Sequence, residues 1–316
     1  MYTLLQKSIL FLLTLAVLSS QAQTKKNLTQ DDYGKWQTLG ATTLSPDGDW
    51  YAYQVTVQED NDTLYAMNRK TNKSYKLAFS SRPEFSKDNK WLAFQTTMAY
   101  KDAEKLREQM KPVDLKMGLL NLATGKKEIV QRISNFEFSR NGKFLAITLA
   151  PEIGSKEKGS VLLIKNLTDS TTRTIGNVTE YSFNKKSDRL VYIVEAANSA
   201  GNTVELFNLK DNSIKILASD TTKFSKLSWQ KEGDGLAFYR SFRKNGFEED
   251  NAIVYVYSNL YKNPVMQKFD PETADGFPKG MRISAASRLS LSDDMTTGFF
   301  GIKKWTANPL AKKDDK

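Results

Sequence analysis

A ten-residue pattern that recurs along the chain constrains the fold more than any other feature of the sequence. Its copies begin at Leu44, Phe85, Phe138, Phe183, Trp229 and Leu291. Each copy has an apolar residue, a small or polar residue, a turn, and then a run of aromatic and β-branched residues. The starts are 41 to 62 residues apart, and self-similarity at roughly 40–50 residues indicates stacked supersecondary units.

The turn inside each copy has the residues of a tight hairpin. The turn residues that we single out are Pro46, Asp47, Gly48, Asp88, Asn89, Asn141 and Gly142. Proline presets φ at the first corner, and Asp, Asn and Gly tolerate the positive φ of the second. A calcium loop needs several oxygen ligands at alternate positions closed by a bidentate Glu. One Asp per turn does not provide that set, so we interpret these residues as structural.

These units are expected to be the four-stranded blades of an all-β protein, a β-propeller with about five complete blades and the first half of a sixth. A second motif supports this, because an Asn turn follows an apolar strand at Asn68, Asn121, Asn166 and Asn208. The propeller domain is expected at residues 23–316. Its blades are placed at roughly 36–80, 81–133, 134–178, 179–222, 223–270 and 285–305.

One segment of the second blade departs from the strand pattern. Residues Ala99–Met110 are mostly good helix formers, and Pro112 would end a helix. The sequence predicts a short helical insertion in blade two. It is either a solvated insertion between strands or a lid over one face of the propeller.

The composition excludes several classes of chemistry. The chain has 316 residues without histidine or cysteine, so it provides no thiolate nucleophile and no Ser-His-Asp triad. The net charge is +10, but the basic residues are scattered among acidic ones, and no nucleic-acid-binding motif accompanies them. We expect no catalytic residue, no cofactor, no metal and no nucleic-acid partner for this chain.

The N-terminus has the order of a secretory signal peptide. Lys7 precedes an apolar run that ends near Leu18, and small residues follow at the positions required for cleavage near Ala22. Residues 1–22 are therefore expected to be removed, which leaves no stable membrane anchor and a periplasmic or secreted protein. An N-terminal helix that anchors the chain in the membrane is the alternative.

One acidic loop is a candidate contact for substrate. Phe247-Glu248-Glu249-Asp250 lies between two predicted strands of the fifth blade, and the paired carboxylates Glu248 and Glu249 could hold a substrate amine. The simpler interpretation is an acidic loop in water.

The sixth copy has its two inner strands but is not followed by the outer hairpin of the other blades. A blade that ends after its second strand exposes unpaired backbone groups, which natural proteins avoid. The sequence is therefore expected to be the front part of a longer polypeptide.

The order of the repeats and the helical insertion resemble the N-terminal propeller of secreted bacterial peptidases of the prolyl oligopeptidase family. The most similar stretches are Leu39–Gly48, Gly118–Gly125, Phe277–Ile283 and Phe299–Ile302. The resemblance implies an α/β-hydrolase domain in cis, with its nucleophile in a Gly-x-Ser-x-Gly elbow, and peptide substrates. This chain has no such elbow, so the resemblance implies a substrate-gating propeller that is itself inactive.

Two other functions remain open at this point. A free-standing TolB-like propeller would act in the periplasm as a scaffold that binds proteins. An unrelated propeller enzyme, such as a lyase or a glycosidase, is the third hypothesis.

Overall fold

The computed structural model describes residues 27–29, 32, 34–57, 61–152, 154, 159–196 and 201–309. The expected signal peptide at residues 1–22 and its cleavage point lie outside the described residues, as do parts of three loops that connect predicted strands. The described residues are mostly strands, and none of their helices has the length and apolar character needed to span a membrane.

The first blade is a four-stranded antiparallel sheet whose strands are paired in chain order. Its strands are β1 (Gln37–Leu44), β2 (Trp50–Val57), β3 (Thr63–Asn68) and β4 (Ser74–Ala78). Burial alternates along β2, since Trp50, Ala52 and Gln54 are buried whereas Tyr51 and Tyr53 are half-buried. This period of two is that of a sheet with two different faces.

The second blade repeats the same strand order and contains the helical insertion. Its elements are β5 (Ser80–Phe85), β6 (Trp91–Thr96), α1 (Tyr100–Glu108), β7 (Lys116–Asn121) and β8 (Lys127–Val130). Helix α1 ends before Pro112, as the sequence predicts. Its N-terminus is held to blade one, because the backbone N–H of Tyr100 donates to Asn61 Oδ1 at 2.9 Å.

Blades three and four share one sheet of seven strands, in the order β9 to β15. The strands are β9 (Ile133–Phe138), β10 (Phe144–Leu149), β11 (Ser160–Asn166), β12 (Thr172–Phe183), β13 (Arg189–Glu195), β14 (Asn202–Asn208) and β15 (Ile214–Asp220). The sequence predicted a separate short strand at Glu180–Phe183. Instead, β12 is the outer strand of blade three, paired with β11, and continues as the first strand of blade four, paired with β13. The strand changes direction near Asn177, where φ is 57°.

The last units are a fifth blade and two pairs of short strands beside it. The fifth blade contains β16 (Phe224–Trp229), β17 (Leu236–Arg243), β18 (Asp250–Ser258) and β19 (Val265–Phe269). The sixth unit contains β20 (Met281–Ile283), β21 (Ser290–Leu291), β22 (Gly298–Phe299) and β23 (Ile302–Lys304). In it β20 pairs with β23 and β21 with β22. The inner strand expected at Arg288–Leu291 is shortened to β21, and the one expected at Gly298–Lys303 is divided into β22 and β23.

The hydrophobic core lies between consecutive blades. In the second to fifth copies, the eighth and tenth residues of the repeat pack against the preceding blade: in blade two, Leu92 and Phe94 join the cluster around Trp50 and Leu64. The same positions are buried in blades three, four and five. Antiparallel units of four strands, packed face to face in chain order, are the blades of a β-propeller, which confirms the predicted fold class.

A buried serine organises the turn in the clearest copies of the repeat. Ser86, which is fully buried, donates from Oγ to Asp88 Oδ1 at 2.6 Å and accepts from the Trp91 backbone N–H at 3.0 Å. Ser45 and Ser139 make the same two contacts in their copies. The second residue of the repeat is therefore small and polar because it ties the hairpin to the start of the next strand.

Candidate functional site

The first strands of consecutive blades form a surface that we call the inner face. Several of these strands contain β-bulges, at Ser81–Glu84, Val178–Glu180 and Ser225–Ser228. Two non-glycine residues in the bulges have positive φ, Arg82 at 48° and Lys226 at 61°. A bulge releases backbone N–H groups from the ladder and turns side chains toward a new direction. The inner face is therefore irregular and presents groups that can be contacted from outside the sheets.

Glu180 on the inner face bridges blades four and five. Its carboxylate accepts hydrogen bonds from the backbone N–H groups of Lys226 and Leu227, both at 2.8 Å. Those two N–H groups lie at the bulge in β16, which removes them from the pairing with β17. The carboxylate of Glu180 is consequently occupied by a structural contact.

Glu84 makes the corresponding contact between blades two and three. Its Oε1 atom accepts from the backbone N–H of Phe138 at 3.4 Å. Desolvation raises the pKa of Glu84, and the nearby carboxylate of Glu137 raises it further. Desolvation also raises the pKa of Glu137, while Arg140 opposes that shift. The two carboxylates are close enough to affect one another and lie on the first strands of neighbouring blades.

A cavity of about 380 Å³ opens on the inner face between blades three and four. Its lining residues are Asn135, Glu137, Thr148, Ser160, Val178, Thr179, Glu180 and Tyr181. The Tyr181 hydroxyl is buried, and no described residue forms a hydrogen bond of good geometry with it. Burial, followed by the fields of Glu137 and Glu84, raises the pKa of Tyr181 well above its usual value. The cavity is polar, acidic and not fully satisfied by its own hydrogen bonds.

A second cavity, of about 390 Å³, lies between blades four, five and the sixth unit. Its wall includes Lys223 and Lys226 as well as Glu180, Ser225 and Ser241. The two cavities share Thr179 and Glu180. The carboxylates of Glu137 and Glu180 therefore line the first cavity, whereas Lys223 and Lys226 line the second together with Glu180.

The acidic loop that the sequence analysis singled out lies elsewhere, against the C-terminal segment of the described chain. Glu249 accepts from the backbone N–H and the hydroxyl of Thr306, at 3.1 and 2.8 Å, and pairs with Arg282 at 3.3 Å. These contacts, those of Thr306 first, hold the pKa of Glu249 below its usual value. Glu248 donates its backbone N–H to the Thr306 carbonyl oxygen at 3.0 Å. Neither residue lines the two cavities, and their contact with a substrate stays a prediction.

The turn residues lie together along one rim of the blades. Gly48 and Gly142 both have φ of 70°, and Asn89 has φ of 60°. The Asp47 backbone N–H donates to Asn89 Oδ1 at 3.2 Å. A Cβ atom at Gly142 would stand 2.6 Å from the Asp88 backbone nitrogen, so only glycine fits there. The turn that begins at Pro46 thus contacts the turn of the next blade.

The described residues contain no cluster of three or more acidic, His or Cys side chains placed to bind a metal ion. The inner-face residues Glu84, Glu137, Glu180 and Tyr181 were not selected from the sequence. One signal was present: Glu84 and Glu137 each stand immediately before the first residue of a repeat copy. A charged residue at the same position of two predicted inner strands indicates a shared surface.

No family model matches the chain, and no curated protein matches it. Among solved structures, the β-propeller domain of the Trilobed protease from Pyrococcus furiosus is similar, with 15% identity, 89% of this chain and 85% of that chain covered, and a TM-score of 0.43. The acylaminoacyl peptidase of Pyrococcus horikoshii matches with 13% identity over 85% of this chain and 43% of its own, with a TM-score of 0.40.

An oligogalacturonate lyase from Vibrio parahaemolyticus is similar to the same degree. It has 13% identity, with 82% of this chain and 72% of that chain covered, and a TM-score of 0.43. Sequence identities and TM-scores in this range do not distinguish a peptidase from a lyase. This chain also spans less than half the length of the acylaminoacyl peptidase.

Proposed function

We propose that this chain is the propeller domain of a serine peptidase of the prolyl oligopeptidase type, active in the periplasm or outside the cell. In this proposal the propeller admits short peptides and contacts them on its inner face. A hydrolase domain in cis carries the catalytic residues, since this chain has no histidine to complete a Ser-His-Asp triad. The family itself is suggested by the sequence resemblance.

The change of charge across the inner face is the observation that carries the proposal. Acidic groups line the cavity between blades three and four, and Lys223 and Lys226 line the adjoining cavity. A short peptide with free ends has one positive and one negative terminus. Complementary charges at two ends of a groove orient such a ligand, and they disfavour molecules whose charges all have the same sign.

Binding without turnover is the test of the proposal. Purified chain is titrated with free tripeptides and pentapeptides by isothermal titration calorimetry, and hydrolysis of chromogenic peptides is measured in parallel. We expect saturable binding that Lys223→Gln weakens, no effect of Lys101→Gln on the exposed surface of α1, and no hydrolysis. Serine-directed turnover above blank would contradict the proposal. Absence of peptide binding together with capture of folded proteins would instead support a scaffold.

A further inference from the structure

The carboxylates of the inner face differ in one respect. Those of Glu84 and Glu180 accept backbone N–H groups from the next blade. The carboxylate of Glu137 has neither a hydrogen bond nor an ion pair with any described residue, and its side chain is open to the cavity. Glu137 is therefore the inner-face carboxylate available to a ligand.

An unsatisfied hydroxyl lies beside it. The Tyr181 oxygen is removed from solvent, and no described group forms a hydrogen bond of good geometry with it, although the Asn135 side chain is close enough to act on its pKa. This is unusual because nearly all buried polar groups are well paired. Burial, followed by the fields of Glu137 and Glu84, raises the pKa of this hydroxyl, so it is protonated at neutral pH. A neutral phenol can accept a hydrogen bond from a ligand N–H group with its oxygen lone pairs.

The rest of the cavity wall also offers acceptors. Asn135, Thr148 and Ser160 provide amide and hydroxyl oxygens around Glu137. Arg140 is the cation whose field reaches Glu137, but it forms no ion pair with that carboxylate among the described residues. A group with several N–H donors and a positive charge fits this set, and a guanidinium has five such donors in one plane.

We infer that the cavity between blades three and four binds the cationic head group of a ligand, a guanidinium or an alkylammonium, with Glu137 as its anionic partner and Tyr181 as a hydrogen-bond acceptor. The inference goes beyond the proposed peptidase role, because it requires neither a hydrolase domain nor a peptide backbone. Charge-assisted hydrogen bonds of this kind are about twice as strong as neutral ones.

The test compares cationic probes with neutral ones of the same shape. N-acetyl-arginine amide is titrated against the purified chain beside N-acetyl-citrulline amide, and N-acetyl-lysine amide beside N-acetyl-norleucine amide. We expect the cations to bind at least about tenfold more tightly than their neutral partners. The arginine and lysine arms separate the two head groups, and preference for either cation supports the site. Equal affinity for cationic and neutral probes would overturn it.

Variants locate the site on the chain. Glu137→Gln is expected to reduce arginine-amide affinity by about tenfold or more, and Tyr181→Phe by about three- to tenfold. Glu104→Gln is the matched control, since it removes an exposed carboxylate on α1 and should leave affinity unchanged. Circular dichroism melting checks that each variant is folded. Unchanged affinity in folded Glu137→Gln would refute the assignment.

Acidification gives an independent readout. Glu137 is faced by Arg140 from its own blade, by Glu84 from blade two, and by Tyr181 and Glu180 from β12. Because its pKa is raised, affinity for arginine amide should already fall at a pH above the ordinary value of 4.5. In Glu137→Gln this loss of affinity on acidification should be absent. A loss with the same midpoint in that variant would count against Glu137 as the anionic partner.

Discussion

The ring of Phe94 lies directly over Gly118 of the neighbouring strand, and a Cβ atom added at Gly118 would stand 2.1 Å from the Cζ atom of Phe94. The two residues are register partners between β6 and β7. Phe94 is almost completely buried and packs in the core between blades one and two. A large residue opposite a missing side chain fills the space between these blades without a cavity.

Gly118→Ala should therefore destabilise the protein. The added methyl group overlaps a ring that is enclosed on all sides, and such overpacking typically costs about 1–3 kcal/mol. Urea denaturation followed by tryptophan fluorescence measures the free energy of unfolding. Gly176→Ala is the matched control, because a Cβ atom there meets nothing within 4 Å. Equal losses at the two positions would contradict the packing relationship.

The contacts of the serine in the repeat turn give a second prediction. In Ser86→Ala the Trp91 backbone N–H loses its side-chain acceptor and Asp88 loses a donor, next to a serine side chain that is fully buried. We expect a loss of about 1–3 kcal/mol in the free energy of unfolding. Ser292→Ala removes the same two contacts in the sixth copy, where they are exposed. Water can replace them there, so a loss as large as that of Ser86→Ala would argue against the role of burial.

Much of the fold could be predicted because local turn chemistry delimits the strands. The bounds of Trp50–Val57, Thr63–Asn68 and Ser74–Ala78 in blade one agree with the sequence prediction. The continuous strand Thr172–Phe183 was not predicted. Its hairpin partners β11 and β13 are its neighbours in the chain, and local turns indicated both hairpins, but no local pattern shows that one strand runs without a break from the first hairpin to the second.

Two tyrosines at the same position of the repeat give a third prediction. Tyr53 and Tyr192 are each the tenth residue of their copies. Tyr192 is fully buried against blade three and donates to Glu205 at 2.7 Å, whereas Tyr53 is half-buried and stacks on Tyr65. Tyr192→Ala should cost about 3–5 kcal/mol and Tyr53→Ala clearly less. Chemical denaturation of both variants checks the order, and a loss for Tyr53→Ala as large as that for Tyr192→Ala would contradict the argument from burial.

The inner-face site could not be assembled from the sequence for a different reason. Glu137 and Tyr181 belong to different repeat copies and meet only because their blades pack side by side. The bulges that redirect their neighbours have positive φ at Arg82 and Lys226, residues with no special preference for that conformation. Tertiary packing imposes this geometry, so local propensity does not indicate it.

The pH dependence of stability should separate Glu249 from Glu248. Glu249 has a lowered pKa because Thr306 and Arg282 contact its charged form. Its contribution to stability is therefore complete above the unfolded-state value of about 4.5 and is lost as the pH falls below it. Arg282 is buried, so loss of its anionic partner is costly at neutral pH. Glu249→Gln should lower the free energy of unfolding at pH 7. Near pH 3 the free energy of unfolding of this variant should approach that of the unmodified protein.

Glu248→Gln is the matched control for that experiment. In the described chain Glu248 takes part in the contact with the C-terminal segment through its backbone, which the substitution keeps. The urea midpoint of Glu248→Gln should equal that of the unmodified protein at every pH. If instead Glu249→Gln lost the same amount at pH 3 as at pH 7, its effect would come from packing, and the negative charge of Glu249 would not be what holds Thr306 to the blade-five loop.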